Sequence, residues 1–249
     1  MPRVDAASLY LMISLFALIL VAALVNFAPP RPDAIPWRRS AVGLAFGLVC
    51  VLGVLAGVFP SKCAGLLHFQ RKKSGESHHE SQILSQANVA FRGHHPDCGS
   101  FNGHVVSVRQ QHLCAGCAGL ILGALLSLVG VALHFLINVV LWSNNVLIFW
   151  IGFVGVFCGL LQYSLFNWAK SSVHLAVNTY FVVGVFLILV GADGITKSTM
   201  VDSYVIILSL LWLYTRILLS QQEHKEICAA CHVEKCEFHR KQPTTSSYT

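Results

Sequence analysis

The sequence predicts an all-α protein, a polytopic membrane bundle of about six transmembrane helices carrying small Cys/His metal-binding modules. Three observations predict this class. The chain of 249 residues is 55% hydrophobic and only 11% charged, with mean hydropathy +0.65, whereas a soluble domain carries about 25% charged residues. Its apolar residues gather into six runs, most of them near the roughly 20 residues of helix that cross about 30 Å of hydrocarbon. Two clusters of cysteine and histidine stand beside those runs, at a density that suits metal ligation.

The first run, about Leu9 to Ala28, ends at Pro29-Pro30. Its apolar part exceeds the roughly 7–15 residues of a signal-peptide core, which makes it an anchor. The second, about Ala41 to Phe59, is closed by Pro60 and completes an N-terminal pair over residues 1–60. A polar, Cys/His-rich loop fills residues 61–112. Residues 113–220 hold four more spans: Leu113 to Trp142, broken by Ser143-Asn144-Asn145; Val146 to Trp168; Val173 to Val190, ended by Gly191-Ala-Asp-Gly194; and Val201 to Leu219. A polar tail covers residues 221–249, and its Ser/Thr-rich end has the composition of disorder.

An even number of spans places both termini on one side. Of the 17 Lys and Arg residues, Arg31, Arg38, Arg39 and Lys197 fall on one face and the other thirteen on the opposite face. Lys/Arg bias sets orientation, so the thirteen lie inside. The expectation is a multi-pass cell-membrane protein with the 61–112 loop, the tail and both termini cytoplasmic. The bilayer is its first partner. Arg71-Lys72-Lys73 reads as an ordinary stop-transfer flank, and no basic-plus-aromatic pattern marks a nucleic-acid surface.

The middles of the spans carry almost no charge, which weighs against an ion pump or proton relay. His134 and Gln162 are the deepest polar residues and read as interhelical hydrogen-bonders. The pairs Gly119/Gly123 and Gly155/Gly159 permit close helix approach, and the short break between the third and fourth spans suggests that those two pair. No phosphate loop, zinc-protease motif or hydrolase elbow occurs.

The first cluster runs from His94 to Leu120, with four histidines and three cysteines. Cys114-Ala-Gly-Cys117 stands where the third span begins. At i and i+3 both thiols share one helix face, and the positive helix N-terminus favours thiolates. Upstream, Cys98 is the candidate third ligand, and His95 or His104 the fourth. Zinc takes four such ligands tetrahedrally, and iron is the alternative for so cysteine-rich a set. A thiol redox pair at Cys114/Cys117 competes with metal binding, as does a plain set of free thiols.

The run CAGCAGLILG resembles a segment that opens a transmembrane helix in a family of small predicted membrane proteins of unknown function. Cys114, Cys117, Gly119 and Gly123 match that segment. The family carries Arg where this chain has Gly116, and a Cys-His pair where this chain has His94-His95-Pro-Asp-Cys98. The resemblance implies a membrane-embedded Cys/His site and no particular activity.

The second cluster lies in the tail. Cys228, Cys231, Cys236 and His239 have C-x2-C-x4-C-x2-H spacing, with His232 as a substitute. Too short to fold by burial, such a segment would draw its folding energy from zinc. Cys228-Ala-Ala-Cys231-His232 also spells a c-type haem attachment pattern, but haem is attached outside the cytoplasm, and the charge bias puts the tail inside. Cys50 and Cys158 fall within spans and read as packing residues.

These readings favour a membrane protein whose cytoplasmic zinc sites are structural or regulatory, with the tail as a docking point for a protein partner. The alternatives are a membrane-embedded metalloenzyme at the lipid interface, with a carboxylate such as Asp97 as base, and a thiol-redox protein.

Overall fold

The computed structural model describes residues 6–27, 37–58, 91–92, 95–96, 101–108, 111–139, 144–162 and 170–229. Within them the helices are α1 (Ala6–Phe27), α2 (Arg38–Val58), α3 (Ala115–Val131), α4 (Asn145–Leu160), α5 (Ser171–Thr196) and α6 (Thr199–Ala229). Five are long and apolar enough to cross a membrane, and α4, with 16 residues, is the shorter apolar one. This is the pattern of a multi-pass helical membrane protein. Large apolar side chains such as Met12, Phe16, Leu44, Leu48, Val129 and Ile207 point outward, as a lipid-facing surface requires.

The helices begin and end for local reasons. Asn144 caps α4, its side chain accepting a hydrogen bond from Leu147 N at 3.1 Å. Lys197 takes the left-handed conformation, φ 51°, and closes α5 with a bond from its amide to Asp193 O. The sequence suggested that α5 stops near Gly191; the helix runs through to Thr196 because the Gly191–Gly194 segment is packed against α4. Gly191 lies so close to Phe149 that a Cβ would meet its backbone. The third span is shorter than expected. α3 passes into a π-helical turn at Ala132–Leu136, and Asn138 at φ 59° turns the chain away.

Helix α5 is the centre of the bundle. Gly119 and Gly123 of α3 press against it: Cβ atoms there would stand 2.5 Å from Leu175 O and 2.7 Å from Thr179 O. Gly152 and Gly155 of α4 approach Gly184 O and Tyr180 O on α5 in the same way, at 2.6 and 2.8 Å. The expected pairing of the third span with the fourth is therefore corrected. Both glycine stripes face the fifth helix, because a stripe of small residues seeks the closest backbone and not the shortest loop. Helix α1 lies on α6, where Ser14 Oγ and Thr215 Oγ1 share a hydrogen bond of 2.8 Å and Trp212 Nε1 donates to Ser14 O.

One end of the bundle is tied by charge. Arg38 at the start of α2 bridges Asp193 of α5, at 2.5 Å, and Asp202 of α6. Arg39 reaches Asp193, Asn138 and the ring of His134. His134 is thus the interhelical hydrogen-bonder that its depth suggested.

The polar 61–112 segment contributes short strands. β1 (Phe91–Arg92) pairs with β2 (His95–Pro96), and β3 (Val105–Val108) with β4 (Gln111–Cys114), after a 3-10 turn at Asn102–His104. The tail also begins later than the sequence suggested: α6 continues past Leu219 to Ala229, taking Cys228 into the helix.

Candidate functional site

The β3–β4 hairpin delivers the site. In its register Val105 faces Cys114, and β4 runs directly into α3 with Cys114 as the N-cap residue. The turn that ends at His104 is thereby held beside the first turn of α3, where Cys114 and Cys117 share a hydrogen bond. Phe101, buried at 4% exposure, lies under the rings of His104 and His224.

Two further residues converge on His104 from the helices. The ring of His174, in the first turn of α5, lies 4.8 Å from that of His104, centroid to centroid. Glu223, near the end of α6, is 5% exposed and sets Oε1 3.7 Å from His104 Nε2. The ligating atoms of His104, His174 and Glu223 all lie within 4.8 Å of one another. At 3.7 Å the His104–Glu223 approach is too long for a hydrogen bond, and Glu223 Oε1 makes none. Two atoms each about 2.1 Å from a shared tetrahedral zinc stand roughly 3.4 Å apart.

A hydrogen-bonded network backs this group. Arg216 of α6 donates from Nε to Asn178 Oδ1 at 3.1 Å and from Nη2 to Gln162 Oε1 at 2.7 Å. Asn178 Nδ2 donates to the same Gln162 oxygen and to His174 O. A guanidinium only donates. It therefore fixes both amides, so that Gln162 Nε2 donates to His174 Nδ1 at 2.6 Å. The neutral ring of His174 then carries its proton on Nε2, an assignment made from the network.

Beside the network lies a cavity of about 340 Å³ between α2, α3, α5 and α6. Its walls are mostly apolar, and Cys114, Cys117, Asn178, Arg216 and His224 line its polar portion.

The sequence-derived ligands divide three ways. His104 joins the cluster. Cys114 and Cys117 stand nearby as free thiols that share a hydrogen bond; among the described residues the group of three ligand-bearing side chains is His104, His174 and Glu223. His95 and Cys228 are described in their backbone alone, as part of a strand and of a helix, while Cys98, Cys231, Cys236 and His239 lie outside the described residues. His174 and Glu223 escaped the sequence reading because the partners of each lie about 50 to 120 residues away in the chain. The one available signal was position: both lie at the polar ends of apolar runs that an antiparallel bundle brings to the same level.

Compared with protein-family models, with curated proteins and with solved structures, the chain matches nothing.

Proposed function

We propose that this protein acts through a divalent metal site, zinc first, held by His104, His174 and Glu223 where the bundle meets the cytoplasm. The observation that carries the reading is the pair His104 Nε2 and Glu223 Oε1. They are 3.7 Å apart, and the carboxylate oxygen is buried without a hydrogen bond. Burying such an oxygen unsatisfied costs about 1–3 kcal/mol, and a cation between the two atoms removes that cost. Two imidazoles and one carboxylate are a familiar zinc set that leaves a fourth position open. That favours a regulatory or catalytic ion over the closed structural sites expected from the cysteines.

His174 offers Nε2, since Gln162 holds Nδ1. With His174 holding an ion through Nε2, its ring proton would sit on Nδ1, and a turned Gln162 amide would accept it. Gln162 Oε1 would then leave Arg216 Nη2, which would couple the histidine and the arginine through one amide. Cytoplasmic placement rests on the Lys/Arg bias. Arg38 and Arg39 on the minority face and Arg216 on the majority face pair with side chains of other helices, and the bias keeps its direction without them. A second zinc in the Cys228/Cys231/Cys236/His239 tail, with partner docking there, belongs to the same proposal, as does kinship with the Cys/His membrane family.

Elemental analysis of the detergent-purified protein tests the reading. Zinc should be lost in His104→Ala and Glu223→Gln and kept in Cys114→Ser/Cys117→Ser. Zinc lost only in the cysteine variant returns the site to the thiols. The thiol-redox reading has its own observation, the hydrogen bond joining Cys114 to Cys117. It predicts metal-free protein whose two thiols are protected from alkylation after oxidation.

A further inference from the structure

We infer that the cavity between α2, α3, α5 and α6 binds an anionic amphiphile, with the apolar chain among the helices and the carboxylate or phosphate on Arg216.

Arg216 is 5% exposed, with Nε and Nη2 engaged by Asn178 and Gln162. Its Nη1 is buried without a hydrogen bond. Among the described residues no carboxylate oxygen lies within 4 Å of the guanidinium; Glu223 is close enough to act on it only through space. The two acceptors that hold Arg216 are neutral amides. A cation inside an apolar bundle is expensive unless paired, and a bidentate oxyanion is the natural complement of a guanidinium.

The cavity supplies the rest of the ligand. Phe46 of α2, Leu120 of α3, Phe181 and Val185 of α5, and Leu213 and Ile217 of α6 form its walls. At about 340 Å³ it is within the size range of small-molecule sites, ~300–1,000 Å³. Gly53 lines it, and a Cβ there would meet nothing within 4 Å. In contrast, Gly43 and Gly57 of the same helix are filled against Phe135 and Ile121. Room is therefore left at one position of α2, facing the cavity. One charged group at the end of an apolar slot describes a fatty acid, or one chain and the headgroup of an anionic phospholipid. Both share the chemistry named, and the test separates them.

The test uses the full chain in detergent micelles with three diazirine-bearing probes: palmitic acid, phosphatidylglycerol and the uncharged hexadecanol. Crosslinked peptides are mapped by mass spectrometry. Anionic probe should label α2 and α6 at the cavity, and hexadecanol should label it at least about tenfold less, the worth of one charge-assisted bond at ~1.4 kcal/mol per tenfold. Arg216→Gln should remove the preference for the anionic probes. Gly53→Leu, which fills the slot from an open position, should abolish labelling by all three while the zinc content stays that of the parent. Palmitate labelling without phosphatidylglycerol labelling identifies a free single-chain ligand, and the reverse identifies a bilayer lipid. Equal labelling by hexadecanol and the anionic probes, labelling unchanged in Gly53→Leu, or no labelling at the cavity would each overturn the inference. Zinc content is read separately, so a failure of the metal reading leaves this result standing on its own.

Discussion

Gln162 Oε1 accepts from Arg216 Nη2 at 2.7 Å, and through the same amide Gln162 Nε2 donates to His174 Nδ1 at 2.6 Å. A residue between α4 and α5 thus links an arginine of α6 to a histidine of α5. It is the hub of the polar interior, and it gives each neighbour the hydrogen bond that the apolar surroundings deny.

Gln162→Leu should therefore be costly although the shape is nearly conserved. It strands Arg216 Nη2, one Asn178 donor and His174 Nδ1 together. Leaving buried polar groups unsatisfied costs about 1–3 kcal/mol each, more for charged ones. A loss of at least ~3 kcal/mol is expected in SDS-driven unfolding from mixed micelles. A change under about 1 kcal/mol would show that the network relaxes without it.

At the other end, Arg38 and Arg39 should respond differently. The Arg38 side chain is 8% exposed between Asp193 and Asp202, while that of Arg39 is 39% exposed. Removing one partner of a buried pair costs about 3–5 kcal/mol, whereas an exposed one contributes about 0–1. Arg38→Met should fall in the first range and Arg39→Met in the second, by the same unfolding measurement.

Glycine substitutions should separate close packing from open space. Gly119→Ala drives a methyl into Leu175 O, whereas Gly53→Ala meets nothing. Over-packing costs about 1–3 kcal/mol, and removing a helix-interior glycine returns roughly 0.5–1 kcal/mol. Gly119→Ala should lower the thermal midpoint in detergent, and Gly53→Ala should leave it unchanged or raise it.

Acidification should empty the proposed metal site. Protons would compete with the ion for His104, His174 and Glu223, which would bind it in their deprotonated forms. Zinc retained after dialysis should fall as pH is lowered. Glu223→Gln, which lacks the carboxylate, should hold less zinc at every pH.

The helices were legible because length and hydropathy are local properties: α1 and α2 match their apolar runs within a few residues. What was not legible is relational. The glycine stripes of α3 and α4 announced close contact without saying with which helix. The polar last turns of α6, with Glu223 and His224, looked like tail because hydropathy stops at Leu219 while helical hydrogen bonding does not. His104 was reached from its place in a Cys/His cluster. Its partners His174 and Glu223 come from other helices, and only the antiparallel packing and the Val105–Cys114 register bring them together.

The proposed ion sits on imidazole and carboxylate. Zinc-edge X-ray absorption reads the ligand shell directly, in the full chain carrying Cys228→Ser, Cys231→Ser and Cys236→Ser to silence the tail. The account predicts a nitrogen and oxygen shell at about 2.0–2.1 Å, absent from Glu223→Gln protein. A sulfur shell at about 2.3 Å, or no bound zinc after incubation with the metal, would contradict it.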